Sequence, residues 1–216
     1  MTKIAPSIAS ADQSDLKWAL EAADQAGADL IHFDIEDGVF LPNLTFGPKT
    51  VRQLRRFSKN RFDVHLQVKE PECYFDSLSN AVADVITFQV EATLFPYRAI
   101  YLLNQAGVDC GLALAAATPP DVISPVLDDI QVVHLMTAEP DGAHADFIAG
   151  ILEKIRVVKE MVGKRAIEIE VDGGIHAGNA RAVVEAGASI LVAGRAVWGA
   201  PSVEQGVTAL RQAAKS

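Results

Sequence analysis

The sequence predicts an α/β protein in the form of a single (β/α)8 TIM barrel, with eight parallel strands in one closed sheet. The first observation is a repeat: QAGAD at 25–29, QAGVD at 105–109 and EAGAS at 185–189 place equivalent glycines 80 residues apart. The second is that each glycine ends a helical pattern and precedes an apolar, β-rich run. The third is length, because 216 residues give eight units of about 27 residues each, near the short end for this fold.

Eight apolar segments are predicted to be strands, and helical patterns such as 9–27 and 145–163 lie between them. The predicted strands are 4–9, 30–35, 62–68, 84–89, 109–115, 131–136, 166–171 and 189–194. Alternation of apolar strands with helices favours a parallel sheet. An open doubly wound sheet is the alternative, but it usually has fewer strands, and no G-x-G-x-x-G follows the first strand. We expect one catalytic domain spanning 1–216.

Composition narrows the function further. The hydrophobic and charged fractions, 50% and 22%, are those of a globular protein, and no apolar run approaches the length that spans a bilayer. A net charge of −9 without a Lys/Arg block argues against nucleic acid as a partner. Because the chain has only two cysteines and opens without a signal-peptide pattern, we expect a reduced, cytoplasmic location and no membrane partner.

Polar side chains cluster at the carboxyl ends of strands two, three and seven. Alternate residues of a strand share a face, so His32, Asp34 and Glu36 should point together, as should Asp63, His65 and Gln67. Four residues are predicted to converge on a divalent ion such as Zn²⁺ at the barrel mouth: His32, Asp34, His65 and Asp172. A lone histidine in an apolar strand is more often a core residue, but the coincidence of these positions favours ligands.

The other histidines receive different interpretations. His134 lies deeper in strand six and is predicted to be a core residue or a neighbour of the ligands, whereas His144 and His176 are predicted at the surface. Gly173 and Gly174 after strand seven, with Gly194 and Arg195 after strand eight, lie where barrels often bind phosphate. Glycine at such turns is equally explained by positive φ, but Arg195 adds a cation that favours an anionic group.

These blocks resemble those of ribulose-phosphate 3-epimerases over nearly the whole chain. The matching segments occur in the order of that family: IAPSIASAD at 4–12, HFDIEDGVFLPNLTFGP at 32–48, DVHLQV at 63–68, VLDDIQVVHLMT at 126–137, EVDGGI at 170–175 and VAGRAVWG at 192–199. The resemblance implies a metal-dependent epimerase, often a homo-oligomer, that acts on a small sugar phosphate.

The resemblance also implies residue roles. The divalent ion would be held by His32, Asp34, His65 and Asp172, with Zn first and Fe, Mn or Co as alternatives, and Asp34 and Asp172 would be the acid and base. Inverting a carbon next to a ketone requires a proton to leave one face and return to the other, so two carboxylates are needed. Ser7 matches a polar residue near the substrate of the family.

The chain departs from the family pattern in the substrate pocket. Glu36 and Gln67 stand where methionines are usual, Met136 keeps the apolar pattern, Gln89 replaces a usual His, and Ala115 replaces a usual Asn. A more polar pocket is therefore expected, in which Glu36 could bind a substrate hydroxyl or add a ligand.

The loop after strand six departs most. The usual glycine-rich N-P-G-F-G-G-Q is replaced by 139–146, so that Glu139 and Asp141 bring negative charge toward an anion site. Arg195, where Ser is common, is predicted either to hold the phosphate directly or to pair with Asp141.

The leading functional prediction is a 3-epimerase of a pentulose 5-phosphate or a related hexulose 6-phosphate. A lyase of the related phosphate-binding barrels is one alternative, but no strand end offers the lysine it would need, since Lys69 and Lys164 are predicted to be surface charges. A non-catalytic sugar-phosphate sensor is the other alternative.

Overall fold

Eight parallel strands form the sheet in a computed structural model that describes residues 2–79, 82–139 and 146–215. The strands are β1 (Lys3–Pro6), β2 (Leu30–Glu36), β3 (Arg61–Gln67), β4 (Val85–Gln89), β5 (Asp109–Leu114), β6 (Val132–Met136), β7 (Glu168–Asp172) and β8 (Ile190–Ala193). Each overlaps a predicted strand, and the ends differ by up to three residues.

The strand order is β1-β8-β7-β6-β5-β4-β3-β2, and all seven ladders are parallel. A parallel bridge between Ser7 and His32 joins the two terminal strands of this order and brings the sheet round into a barrel. The predicted (β/α)8 TIM barrel is therefore confirmed, and the open-sheet alternative is wrong.

Helices follow most strands and cover the outside of the barrel. They are α1 (Leu16–Gln25), α2 (Pro48–Leu54), α3 (Phe75–Leu78), α4 (Pro96–Gln105), α5 (Ile151–Val162), α6 (Ala177–Ala186), α7 (Arg195–Trp198) and α8 (Val203–Ala213). Between β5 and β6 the described residues form a 3-10 segment, Pro120–Val126, where prolines disfavour a regular α-helix. In the part of the chain that the structure describes, no helix combines the length and the apolar character needed to cross a membrane.

The two faces of the strands differ in chemistry. Residues such as Phe33, Val64 and Phe88 belong to the large apolar cluster that includes the buried faces of the helices. A smaller, separate apolar cluster consists of Ala5, Leu30, Ile190 and Val192. Inward positions of β2, β3, β4, β6 and β7 also carry buried polar side chains: His32, Asp34, Asp63, His65, Gln67, Thr87, Gln89, His134 and Glu170. Because aliphatic residues usually fill this space, the polar interior marks the functional region.

Candidate active site and metal centre

Four side chains from three strands meet at the carboxyl end of the barrel. One ligand atom from each of His32, Asp34, His65 and Asp172 lies within 4.8 Å of the others. His32 Nε2 and His65 Nδ1 are each 3.2 Å from the same oxygen, Asp34 Oδ1. The set of two imidazoles and two carboxylates fits a divalent transition metal, and the structure brings together all four predicted ligands.

The carboxylate of Asp34 is held by neighbours on both of its oxygens. Ser7 Oγ donates a hydrogen bond to Oδ2 over 2.6 Å, and Gln67 Nε2 donates to Oδ1 over 2.9 Å. The register of β2 and β3 explains part of this arrangement, because it pairs Asp34 with His65 and Glu36 with Gln67. The Ser7 hydroxyl is therefore part of the site.

Each ligand imidazole has a second partner on its other nitrogen. His32 Nδ1 lies 2.7 Å from Asp63 Oδ2, and the β2–β3 register places these two residues opposite each other. His65 Nε2 lies 3.1 Å from the side-chain amide of Gln89. Partners of this kind orient metal-binding imidazoles and select the nitrogen that is free to bind. Asp63 leaves His32 Nε2 facing the other ligands.

A deeper polar layer lies below the ligands. His134, which is fully buried, has its Nδ1 2.5 Å from Glu170 Oε1, and its ring centroid is 4.2 Å from that of His65. The β6–β7 register places His134 opposite Glu170 and Met136 opposite Asp172. His134 is thus a buried neighbour of the ligands, one of the two roles predicted for it.

The two candidate acid and base groups have carboxyl pKa values displaced in opposite directions. Burial opposes ionisation of Asp34, but His32 and His65 beside it hold its pKa well below the usual range. For Asp172, burial and the nearby charge of Asp34 raise the pKa to about 7. Two carboxyl groups separated in this way suit opposite protonation states in one reaction.

The four candidate ligands open onto a cavity of about 570 Å³ at the barrel mouth. Its lining includes all the predicted substrate-binding residues, namely Ser7, Glu36, Gln67, Met136, Gly173, Gly174, Gly194 and Arg195. Burial and the adjacent Asp34 raise the pKa of Glu36 to about 7. The cavity is therefore polar on the side of β2 and β3, as predicted from Glu36 and Gln67, which stand where the family usually has methionine.

Backbone conformation and close packing explain why Gly173 and Gly194 at the barrel mouth are glycines. Gly173 has a φ of 116°, and a Cβ there would lie 2.6 Å from the backbone nitrogen of Ala138. A Cβ on Gly194 would lie 2.1 Å from Ser10 Oγ. Close packing therefore accounts for both glycines, and the anion hypothesis depends more on the exposed Arg195 at the start of α7.

Some predicted positions are peripheral or lie outside the described residues. His176 is exposed and its side chain accepts a hydrogen bond from the backbone of Gly178 at the start of α6, as expected for a surface residue. Lys69 and Lys164 are also exposed. Asp141 and His144 lie outside the described residues, so the predicted pairing of Asp141 with Arg195 stays a prediction.

Asp63 is predicted from the sequence to point inward but has no predicted role, and no prediction was made for Glu170. Gln89 is noted from the sequence only as a departure from the family pattern. The period of two along β3, β4 and β7 was the available signal, because it points these side chains into the barrel with the ligands. Which of them contact one another depends on register between strands, which is absent from any single strand.

Comparison with known proteins confirms the family resemblance of the sequence. Residues 3–198 match the model of the ribulose-phosphate 3 epimerase family. The chain belongs to this family. It is 41% identical to the ribulose-phosphate 3-epimerase of Bacillus subtilis (strain 168), over 98% of this chain and 99% of that protein. It is 39% identical to the protein of the same name from Synechocystis, over 96% of this chain and 92% of that one. Family membership makes the protein an isomerase of the epimerase class.

Solved structures of more distant proteins share the architecture of this family member. Orotidine 5'-phosphate decarboxylase from Pyrococcus horikoshii OT3 matches with a TM-score of 0.70 at 14% identity, covering 99% of both chains. A 3-hexulose-6-phosphate synthase matches with a TM-score of 0.66 at 18% identity, covering 98% of this chain and 99% of that one. At such identities the likeness supports the barrel fold alone.

Proposed function

We propose that the protein is a metal-dependent 3-epimerase that interconverts D-ribulose 5-phosphate and D-xylulose 5-phosphate, or a related pair of hexulose 6-phosphates. The observation that carries this proposal is the pair of carboxyl groups, Asp34 and Asp172, whose pKa values are displaced in opposite directions beside two imidazoles. Family membership supplies the reaction class.

Asp34 and Asp172 carry the proton transfers. The Asp34 side chain comes from β2 and that of Asp172 from β7, and these strands are not neighbours in the sheet. The two groups therefore approach a bound ketose from different directions. The ionised group removes the proton from C3 on one face, and the protonated group donates a proton to the opposite face, which inverts the carbon.

His32, Asp34, His65 and Asp172 would hold the divalent ion, for which Zn is preferred and Fe, Mn or Co are alternatives. When bound, the ion supplies positive charge that stabilises the enediolate oxygens. The donor set fits, because Asp63 occupies Nδ1 of His32 and leaves its Nε2 toward the other three ligands. Ser7 and Gln67 hold the Asp34 carboxylate in place through their hydrogen bonds.

The sugar occupies the cavity between the ligands and the loop that includes Pro42 and Thr45. Glu36 and Gln67 offer polar contacts to its hydroxyl groups, and Met136 contributes an apolar contact. The phosphate binds at the opposite rim, where the backbone at Gly173, Gly174 and Gly194 can approach it closely, with Arg195 as the cation.

We further infer that residues 1–216 act as one catalytic domain in the cytoplasm, in a homo-oligomer. Its partner in the reaction is a small sugar phosphate, and neither nucleic acid nor a membrane is required. The absence of a large basic block in the sequence supports the exclusion of nucleic acid.

Hydrogen exchange from solvent tests the reaction directly. Metal-loaded protein is incubated in D₂O with D-ribulose 5-phosphate and then with ketohexose 6-phosphates, and deuterium at C3 is followed by NMR. Label at C3 together with the epimeric product supports the two-base reaction and ranks the sugars. Absence of label with every sugar, in protein that has bound the metal, would favour the sugar-phosphate sensor.

A further inference from the structure

The two imidazoles of the proposed metal site have unequal partners. His32 Nδ1 faces the carboxylate of Asp63, which can only accept a hydrogen bond when ionised, so its position fixes the proton on Nδ1. His65 Nε2 instead faces the neutral amide of Gln89, which can either donate or accept. The amide therefore does not by itself determine where the His65 proton resides.

The position of Asp34 determines which nitrogen of His65 carries the proton. His65 Nδ1 lies 3.2 Å from Asp34 Oδ1, the same oxygen that His32 Nε2 approaches to 3.2 Å. Donor atoms at about this separation suit two ligands of one ion with bonds of roughly 2.0–2.1 Å. Nδ1 is thus the nitrogen of His65 that faces the ion, and a neutral imidazole that binds through Nδ1 carries its proton on Nε2.

The amide of Gln89 must then accept a hydrogen bond from His65 Nε2–H. With its Nε2 toward His65, Gln89 would place a second N–H against the N–H of the ring, and its own Oε1 has no partner among the described residues. Rotation of the amide by 180° exchanges the two atoms and brings Oε1 to His65 Nε2. Gln89 is 2% exposed and His65 is fully buried, so water does not replace this contact.

We propose that Gln89 is a positioning residue of the metal site, which accepts a hydrogen bond from His65 Nε2 through its amide oxygen and thereby presents Nδ1 to the ion. This inference rests on the metal site of the proposed function. It gives a role to a residue that the sequence identifies only as a departure from the family pattern. The expected consequence of losing the acceptor is a 10–100-fold weaker affinity for the metal.

The test compares substitutions on one face of β4. Gln89→Leu removes the acceptor, and Gln89→Glu retains one. Thr87→Val is the matched control, because Thr87 is fully buried two residues away and its Oγ1 has no partner among the described residues. Dissociation constants for Zn²⁺ are measured by chelator competition. The visible spectrum of the Co²⁺-loaded protein reports the ligand geometry, and thermal unfolding of the metal-free proteins checks that each variant folds.

We expect Gln89→Leu to bind Zn²⁺ 10–100-fold more weakly with an altered Co²⁺ spectrum, Gln89→Glu to bind at least as tightly as the original chain, and Thr87→Val to stay within about threefold. Equal affinity of the Leu variant and the original chain would overturn the role of Gln89. Failure of the original chain to bind Zn²⁺ or Co²⁺ would instead overturn the proposed metal site.

A measurement on the unaltered protein keeps the inference testable if Gln89→Leu does not fold. Long-range ¹H–¹⁵N NMR of the Zn²⁺-loaded protein identifies the protonated nitrogen of each imidazole. We expect His65 to carry its proton on Nε2 and His32 on Nδ1. A His65 proton on Nδ1 would contradict the proposal, because that nitrogen could not then bind the ion.

Discussion

The two ends of the barrel use the same charged residue types in opposite ways. At the amino-terminal end, Lys3 pairs with Glu168 over 2.8 Å and Arg61 pairs with Asp109 over 2.5 Å. At the carboxyl end, Asp34 and Asp172 lie together in a buried cluster without a lysine or arginine partner in the described contacts. Pairing with a lysine or arginine, and not negative charge itself, therefore distinguishes the stabilising carboxylates from those available for chemistry.

The carboxylates at the two ends of the barrel differ in burial, which explains why their electrostatic properties differ. The pairs at the amino-terminal end are partly exposed, with side-chain exposures of 33–48%, so each contributes only about 0–1 kcal/mol. The carboxyl groups at the mouth are desolvated, and the pKa of Asp172 is raised to about 7 by burial and by the charge of Asp34. An ion or a proton must therefore offset their charge.

Substitution of an aspartate at each end should give the largest contrast. Asp172→Asn removes one of the proposed proton carriers, so we expect kcat to fall about 10²–10⁴-fold. Asp109→Asn at the other end should change kcat less than twofold. Steady-state epimerisation of both purified variants, with metal content measured in parallel, checks this. Normal turnover by Asp172→Asn would rule out its role as acid or base.

The affinity for the metal ion should depend on pH because Asp172, a proposed ligand at the carboxyl end of the barrel, has a raised pKa. Because the pKa of Asp172 is raised to about 7 by burial and the charge of Asp34, a proton competes with the ion for this carboxyl group below that pH. We expect the affinity for Zn²⁺ to fall about fivefold from pH 7 to pH 6, and the decline to approach about tenfold per pH unit below that. Chelator competition across that range measures it. A flat profile would show that Asp172 is not a ligand.

Substitution of an arginine at each end of the barrel should have different effects on KM for a sugar phosphate. Arg195→Ala should raise KM for a sugar phosphate about 10–100-fold with little change in kcat, because a charge-assisted contact to the phosphate is lost. Arg61→Ala, which breaks a pair at the amino-terminal end, should leave KM unchanged. Unchanged KM in Arg195→Ala would count against direct phosphate binding.

The smallest expected effect concerns stability. Burial and the charge of Asp34 raise the pKa of Glu36 to about 7. The folded state therefore binds the proton more tightly than the unfolded state does, and this contribution to stability is complete below about pH 4.5 and lost as the pH rises through 7. In metal-free protein, Glu36→Gln should flatten that loss and add about 1 kcal/mol at pH 8 after allowance for solvent screening.

Urea unfolding at pH 4.5, 6 and 8 measures this effect. The matched change at the amino-terminal end is Glu168→Gln, which removes an ion pair with Lys3 and should lower stability by less than about 1 kcal/mol. A loss of stability at pH 8 in Glu36→Gln, like that expected in Glu168→Gln, would show that the half-buried Glu36 behaves as a paired surface acid. The proposed difference between the carboxylates at the two ends of the barrel would then be wrong.

Much of the site could be predicted from the sequence because its residues obey a local rule. His32 and Asp34 share a face of β2, as His65 and Gln67 share a face of β3, and a period of two is visible in any single strand. Asp172 ends β7, where a barrel places its functional residues. The segments that resemble the epimerase family then indicated a role for each of these positions.

The residues that contact the candidate ligands from behind could not be predicted in the same way. Asp63 lies opposite His32 because of the register between β2 and β3, and His134 lies opposite Glu170 because of the register between β6 and β7. Register depends on how the whole sheet twists and closes, which is a property of all the strands together. The contact of Gln89 with His65 follows from the same closure.

Local periodicity and turn-forming glycines in the sequence are enough to predict the order of strands and helices and the inward faces of the strands, with strand ends correct to within three residues. The tertiary structure sets which polar side chains meet, which nitrogen of each imidazole faces Asp34, and how far the carboxyl pKa values of Asp34 and Asp172 diverge. The physical reason is that distance and desolvation set these properties, and both arise only when strands remote in sequence close into one barrel.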